Sequence, residues 1–155
     1  MPKHLPGPGE PEHDESPLPN NRRGARQLAL QALYWEASTP GDLDGALESL
    51  VRGSQLSQEV RGFAGSLARA AVEHREHLDS LVGKAAAHWQ QSRLARIDAI
   101  ILRLALAEIL FFEDIPVRVS IDEAVELSRI YSTSQSYAFV NGVLDAIVRD
   151  QGLPM

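Results

Sequence analysis

The 155-residue chain contains no cysteine. A disulfide framework, a thiol nucleophile and any cysteine-ligated metal or iron–sulfur site are therefore excluded. The same absence fits a reducing compartment, and a cytoplasmic location is expected. Aromatic residues are scarce, at 6%. Positive charge is in deficit, with 15 basic side chains against 21 acidic ones and a net charge of −6. A uniformly basic nucleic-acid binder is thus excluded, but a local basic patch is not, because the field depends on where charges sit. Long hydrophobic runs are also missing. The greasiest stretch, Ile97 to Phe112, carries Asp98, Arg103 and Glu108. It is too short and too charged to span a bilayer, so no membrane association is expected. The opening Met-Pro-Lys-His-Leu-Pro-Gly lacks the apolar segment of a secretory signal. What is present is ordinary, 44% hydrophobic and 23% charged residues, enough for one domain with a buried core.

Residues 1–21 differ from the rest. Six of the nine prolines lie there, and Glu10, Glu12, Asp14 and Glu15 against Lys3 give the segment a net charge of −3. Too little apolar area is available to offset the entropy of ordering, so this segment reads as a disordered acidic tail, and residues 22–155 as the domain.

From Asn20 onward the apolar spacing is helical, without strand-like alternation or internal repeat. Asn20 or Asn21 can cap a first helix over about 22–37, which Thr39-Pro40-Gly41 ends. Asp42 or Asp44 opens a second to about Arg52, ended by Gly53. Ser57 opens a third, reaching about Leu81, and Leu81 to Trp89 reads as a separate turn or two. Residues 93–112 are apolar nearly all round, the mark of a central helix wrapped by others. Ser120 with Glu123 forms a capping box for a helix to about Tyr131. A last helix runs from about Gln135 to Asp150. The expectation is an all-α fold of about seven helices with short connections.

Nothing in this pattern supports catalysis. His74 and His77 stand three apart, a metal-like spacing, but Glu73, Arg75, Glu76 and Asp79 make theirs a solvated charged face without a converging third ligand. Glu123 and Glu126 share the spacing of di-iron ligands, yet no Glu-x-x-His accompanies them. A Gly-rich phosphate loop is also absent. The expectation is a non-enzymatic chain with no metal and no cofactor.

Binding is better supported. Arg22, Arg23 and Arg26 form a cluster with no acid between them, at a helix N-terminus where the macrodipole opposes positive charge. At about 100° per residue, Arg23 and Tyr34 fall within about 20° of each other, with the core stripe elsewhere through Ala25, Leu28, Ala29, Ala32 and Trp35. Cations for phosphate beside a ring for a base are what single-stranded nucleic acid needs. On the last helix the core stripe reads as Tyr137, Val140, Leu144, Ile147 and Val148. Phe139 then points roughly 120° away, either as a second stacking ring or as packing against a neighbouring helix. The alternative to RNA binding is a helical scaffold that binds only protein, with a solvated arginine cluster and possible homodimerisation through the central helices.

Several runs resemble one family. Arg22-Arg23-Gly24-Ala25-Arg26 with Ala29-Leu30-Gln31-Ala32-Leu33-Tyr34 is similar to the opening of the NusB family of bacterial transcription antitermination factors. Leu102-Arg103-Leu104-Ala105-Leu106, Asp114-Ile115-Pro116 and Ile121-Asp122-Glu123-Ala124-Val125-Glu126-Leu127 resemble its middle, and Phe139-Val140-Asn141-Gly142-Val143-Leu144-Asp145 its close. The resemblance implies two small helical bundles. It also implies binding of boxA RNA from ribosomal RNA leaders, jointly with ribosomal protein S-ten (NusE), within the RNA polymerase antitermination complex. Carried over by position, the RNA-facing residues are Arg22, Arg23, Arg26, Tyr34 and Phe139, flanked by Ser136. The partner surface falls around Asp98 to Glu108, with those two acids as the partner-facing charges. Gly24 departs from the family by interrupting the basic run, and Gln135 stands where some members carry an acid.

Overall fold

The computed structural model describes residues 17–87 and 95–155. Among these, all regular structure is helical: α1 (Arg22–Ser38), α2 (Leu43–Arg52), α3 (Gln58–Glu73), α4 (Arg75–Ala86), α5 (Arg96–Phe111), α6 (Val117–Tyr131) and α7 (Ser136–Asp150). α1, α2 and α3 pack together as one bundle, and α4 to α7 as a second. α1 and α3 both lie against α5, which joins the two.

The burial pattern explains the joint. α5 buries Ile100, Ile101, Leu102, Leu104, Leu106 and Ile109 in directions all round its axis, as its composition requires. α1 is equally enclosed, which its sequence does not announce: Arg26, Gln27, Leu30, Gln31 and Glu36 are buried along with the apolar stripe. Several of these interior polar groups are paired across helices. Gln31 donates to the Tyr131 hydroxyl at 3.1 Å, and that hydroxyl donates to Gln27 at 3.2 Å. Glu36 accepts from Arg75 at 2.7 Å and from the Gly41 amide at 3.1 Å, which fixes the α1–α2 turn. Gly41 sits at φ 89°, in the left-handed region that favours glycine.

Helix ends differ from expectation in three places. The long third helix breaks at His74, which closes α3 and opens α4, and whose ring stacks on Phe111 with centroids 4.1 Å apart. His74 and His77 therefore do not share one continuous helical face. α6 begins directly after Pro116, one turn before the anticipated capping box. Pro lacks an N–H and cannot continue a helix backwards, so it serves as the start signal itself. The fourth element runs from Arg75, and its expected end at Trp89 lies outside the described residues.

Of the expected tail, only residues 17–21 fall among the described residues. Residues 1–16 lie outside the described residues, but 17–21 are placed against the domain. Leu18 packs on the core. Asn21 caps α1 by accepting from the Gly24 amide at 3.0 Å, and Asn20 accepts from the Ser57 amide at 2.8 Å. A Cβ on Gly24 would overlap the Pro19 carbonyl oxygen. The glycine that interrupts the basic run is thus the residue that lets this segment cross α1.

Candidate nucleic-acid interface

The acid-free arginine cluster of the sequence is not acid-free in space. Each of its three cations meets a carboxylate from far along the chain. Arg22 Nη2 lies 3.6 Å from Asp114. Arg23 donates through Nε and Nη2 to Glu123, at 3.1 and 3.4 Å. Arg26 donates through Nε and Nη2 to Glu108, at 2.7 and 3.1 Å, and its Nη1 stands 3.8 Å from Glu123.

Exposure separates these arginines. The side chains of Arg22 and Arg23 are 52% and 51% exposed, whereas Arg26 and Glu108 are 6% and 3% exposed. Ser120 donates a further hydrogen bond to Glu108. Arg26 is therefore a core cation neutralised by Glu108, which corrects its expected place on the surface, and it corrects the same expectation for Glu108. A charge leaves water only if it is paired and hydrogen-bonded, and the two meet that condition through each other.

Arg22 and Arg23 remain as the accessible pair at the start of α1. The Arg22 guanidinium lies 4.5 Å from the centre of the Phe63 ring, with Arg26 at 5.6 Å. Phe63 in turn meets Phe112 edge-on, with centroids 5.6 Å apart. Glu123 holds the Arg23 guanidinium above the usual arginine pKa, through its hydrogen bond first and its charge second.

The ring on α1 does not continue this patch. Tyr34 is half-buried, and between it and Arg23 the helix turns inward at Arg26, Gln27 and Leu30. The arginines and Tyr34 are thus separate features. Phe139 is 7% exposed and belongs to the core, while Tyr137 is 43% exposed with Arg129 5.0 Å from its ring centre. The buried face of α7 keeps Val140, Leu144, Ile147 and Val148 of the expected stripe, loses Tyr137 and gains Ser136, Phe139 and Val143. A phenyl ring has no polar tip to keep wet, whereas a phenol does, and that difference selects which of the two goes inside.

Asp98 is also interior. It accepts from the hydroxyls of Ser132 at 2.7 Å and Ser136 at 3.1 Å, tying the first turn of α5 to the α6–α7 connection. Ser136 is buried in that network, with its hydroxyl 2.8 Å from that of Ser132 and 3.0 Å from that of Thr133. Neither Asp98 nor Ser136 stands on the outer surface, which corrects the expectation for both. Among the described residues, no group of three or more histidine or acidic side chains is placed to hold a metal ion, and no helix is long and apolar enough to cross a membrane.

The sequence pattern of the NusB family spans residues 23–149. The chain belongs to the NusB family. It is 42% identical over 133 residues to a transcription antitermination protein NusB of Salinibacter ruber, covering 84% of this chain and 82% of that one. A protein of the same name from Symbiobacterium thermophilum is 41% identical over 137 residues, with 83% and 90% coverage. The fold matches T. maritima NusB with a TM-score of 0.76 at 34% identity, over 84% of this chain and 92% of that one. It also matches a chain from a crystal structure of antitermination factors NusB and NusE in complex with dsRNA, with a TM-score of 0.75 at 28% identity and 83% and 96% coverage.

Three features of this NusB chain escape a linear reading of its sequence: Asp114 and Glu123 as arginine partners, Phe63 as the ring beside Arg22, and Tyr137 as the exposed aromatic of α7. Asp114 and Glu123 lie 92 and 100 residues from their partners, so no local spacing rule reports them. The Tyr137 hydroxyl is the available signal, since a core stripe of apolar residues has little use for it.

Proposed function

We propose that this chain is a non-enzymatic transcription antitermination factor of the cytoplasm that binds boxA-type single-stranded RNA of ribosomal RNA leaders together with ribosomal protein S-ten (NusE), within the RNA polymerase antitermination complex. The observation that carries this reading is the exposed Arg22–Arg23 pair at the N-terminus of α1. The positive dipole end of a helix favours an anion there, and two guanidiniums add mobile donors, although Asn21 already takes the Gly24 amide. The structural relative's complex with NusE and dsRNA supports NusE and RNA as the two classes of partner.

The electrostatics also give the partner a task. A chain of net charge −6 repels a polyanion at long range, and two accessible arginines are a small electrostatic footprint. A basic partner adds phosphate contacts and raises the effective concentration of RNA at the patch. By linkage, RNA then tightens the protein–protein contact by the same factor.

Titration of the chain onto a boxA-like single-stranded RNA, with and without saturating S-ten, tests this. Weak binding alone and tighter binding with the partner is the expected result. Equal affinity in the two titrations contradicts the cooperative reading, and no binding in either contradicts the RNA reading.

A further inference from the structure

We infer that Glu123 is an internal competitor for RNA: its carboxylate occupies the edge of Arg23 that a phosphate would use, and so limits how tightly this chain binds RNA. This inference rests on the RNA-binding reading above and deepens it by naming the residue that sets affinity.

The three pairs of the arginine cluster differ in how readily they exchange. Arg26–Glu108 is sealed from solvent on both sides and stays in place. Arg22–Asp114 is a single contact of 3.6 Å between two exposed groups, which water and salt already loosen. Arg23–Glu123 lies between these limits. The arginine is half exposed, within reach of an incoming strand, but its Nε–Nη2 edge is taken bidentately by a carboxylate that is only 18% exposed. That edge is the fork that also fits two phosphate oxygens, so the carboxylate and a phosphate are rivals for the same donors.

Displacing Glu123 carries a cost that depends on its surroundings. It sits within α6, beside buried Ala124, so its backbone cannot withdraw. Its side chain borders an open groove, into which it can swing, that Arg23, Asp122, Glu126 and Arg129 also line. There it faces two further carboxylates, Asp122 and Glu126, and one guanidinium, Arg129, that Glu126 already pairs. It also leaves Arg26 Nη1, 3.8 Å away, which it partly neutralises. An RNA phosphate must overcome each of these costs.

The test compares Glu123→Gln with Glu126→Gln in the full-length chain, by fluorescence anisotropy of a boxA-like single-stranded RNA with saturating S-ten. Both variants change the net charge equally, from −6 to −5. Glu126 pairs with Arg129 at 2.8 Å and acts on Arg23 through its charge alone, without a hydrogen bond. Glu123→Gln keeps a hydrogen-bond acceptor and loses the charge, so affinity is expected to rise roughly two- to tenfold. The salt dependence also steepens, because no freed carboxylate then collects a cation as the phosphate contact forms. Glu126→Gln gains distinctly less, and in an Arg23→Ala background the effect of Glu123→Gln largely vanishes. Glu123→Ala, which also removes the acceptor, gives a second measure and is expected to tighten binding as well.

Affinity that is unchanged or weaker in the Glu123 variants overturns the inference and makes Glu123 a residue that positions Arg23. An equal gain in Glu126→Gln, or a gain that persists without Arg23, overturns it in favour of a general charge effect. Each of those results leaves the RNA-binding reading standing. Absence of RNA binding from the wild type and all variants, with S-ten present, removes both.

Discussion

Arg26 on α1 and Glu108 on α5 hold each other bidentately, at 2.7 and 3.1 Å, and together bridge the two helical bundles from inside the core. Removing one partner strands the other charge away from water. Arg26→Ala and Glu108→Ala are each expected to cost about 3–5 kcal/mol of stability. Replacing both with apolar residues, as in Arg26→Met with Glu108→Leu, is expected to come out near neutral, because the burial cost of both charges disappears together. Denaturant titration of the two single variants and the double variant checks this. The folded double variant is further expected to retain RNA binding, since Arg26 offers no exposed donor to a phosphate.

The two aromatic residues near the start of α7 have opposite roles. Phe139→Ala empties a core site and is expected to cost about 3–5 kcal/mol, lowering the melting temperature by roughly 10 °C or more. Tyr137→Ala removes only a surface ring beside Arg129 and is expected to cost under about 1 kcal/mol. Calorimetric melting of the two variants separates them. Similar melting temperatures for both contradict the assignment of Phe139 to the core.

Gly24 offers a test with an unusual sign. Alanine in a helix is ordinarily favoured over glycine by about 1 kcal/mol. Here the added Cβ would overlap the Pro19 carbonyl, so Gly24→Ala is expected to lower stability and to loosen residues 17–21 from the domain. Thermal melting with limited proteolysis after Leu18 reports both effects. A raised melting temperature with unchanged proteolysis contradicts the close crossing of this segment over α1.

The helices themselves are legible in the sequence because apolar spacing and stop signals act locally. Thr39-Pro40-Gly41, Gly53 and Pro116 each mark a boundary, and the all-apolar character of α5 announces its central place. The break at His74 has no such signal, since neither proline nor glycine stands there. The larger discrepancy concerns charge. Arg26, Asp98 and Glu108 read as surface groups because isolated charges belong in water. Their partners, Glu108 for Arg26 and Ser132 with Ser136 for Asp98, come from other parts of the fold, and only folding brings them near. Phe139 is misplaced for a narrower reason. Counting Tyr137 into the core stripe shifts the start of the buried face of α7 and turns a buried ring outward.

Arg22 and Arg23 together form the proposed phosphate-binding patch. The most direct measurement is the salt dependence of RNA binding, with S-ten present, for the wild type and for Arg22→Ala with Arg23→Ala. Weaker binding is expected, with a log–log slope shallower by about 0.7 for each single-stranded phosphate that the double variant no longer neutralises. The melting temperature is expected to stay close to that of the wild type, since both residues are exposed. A slope that stays unchanged in the double variant would contradict the claim.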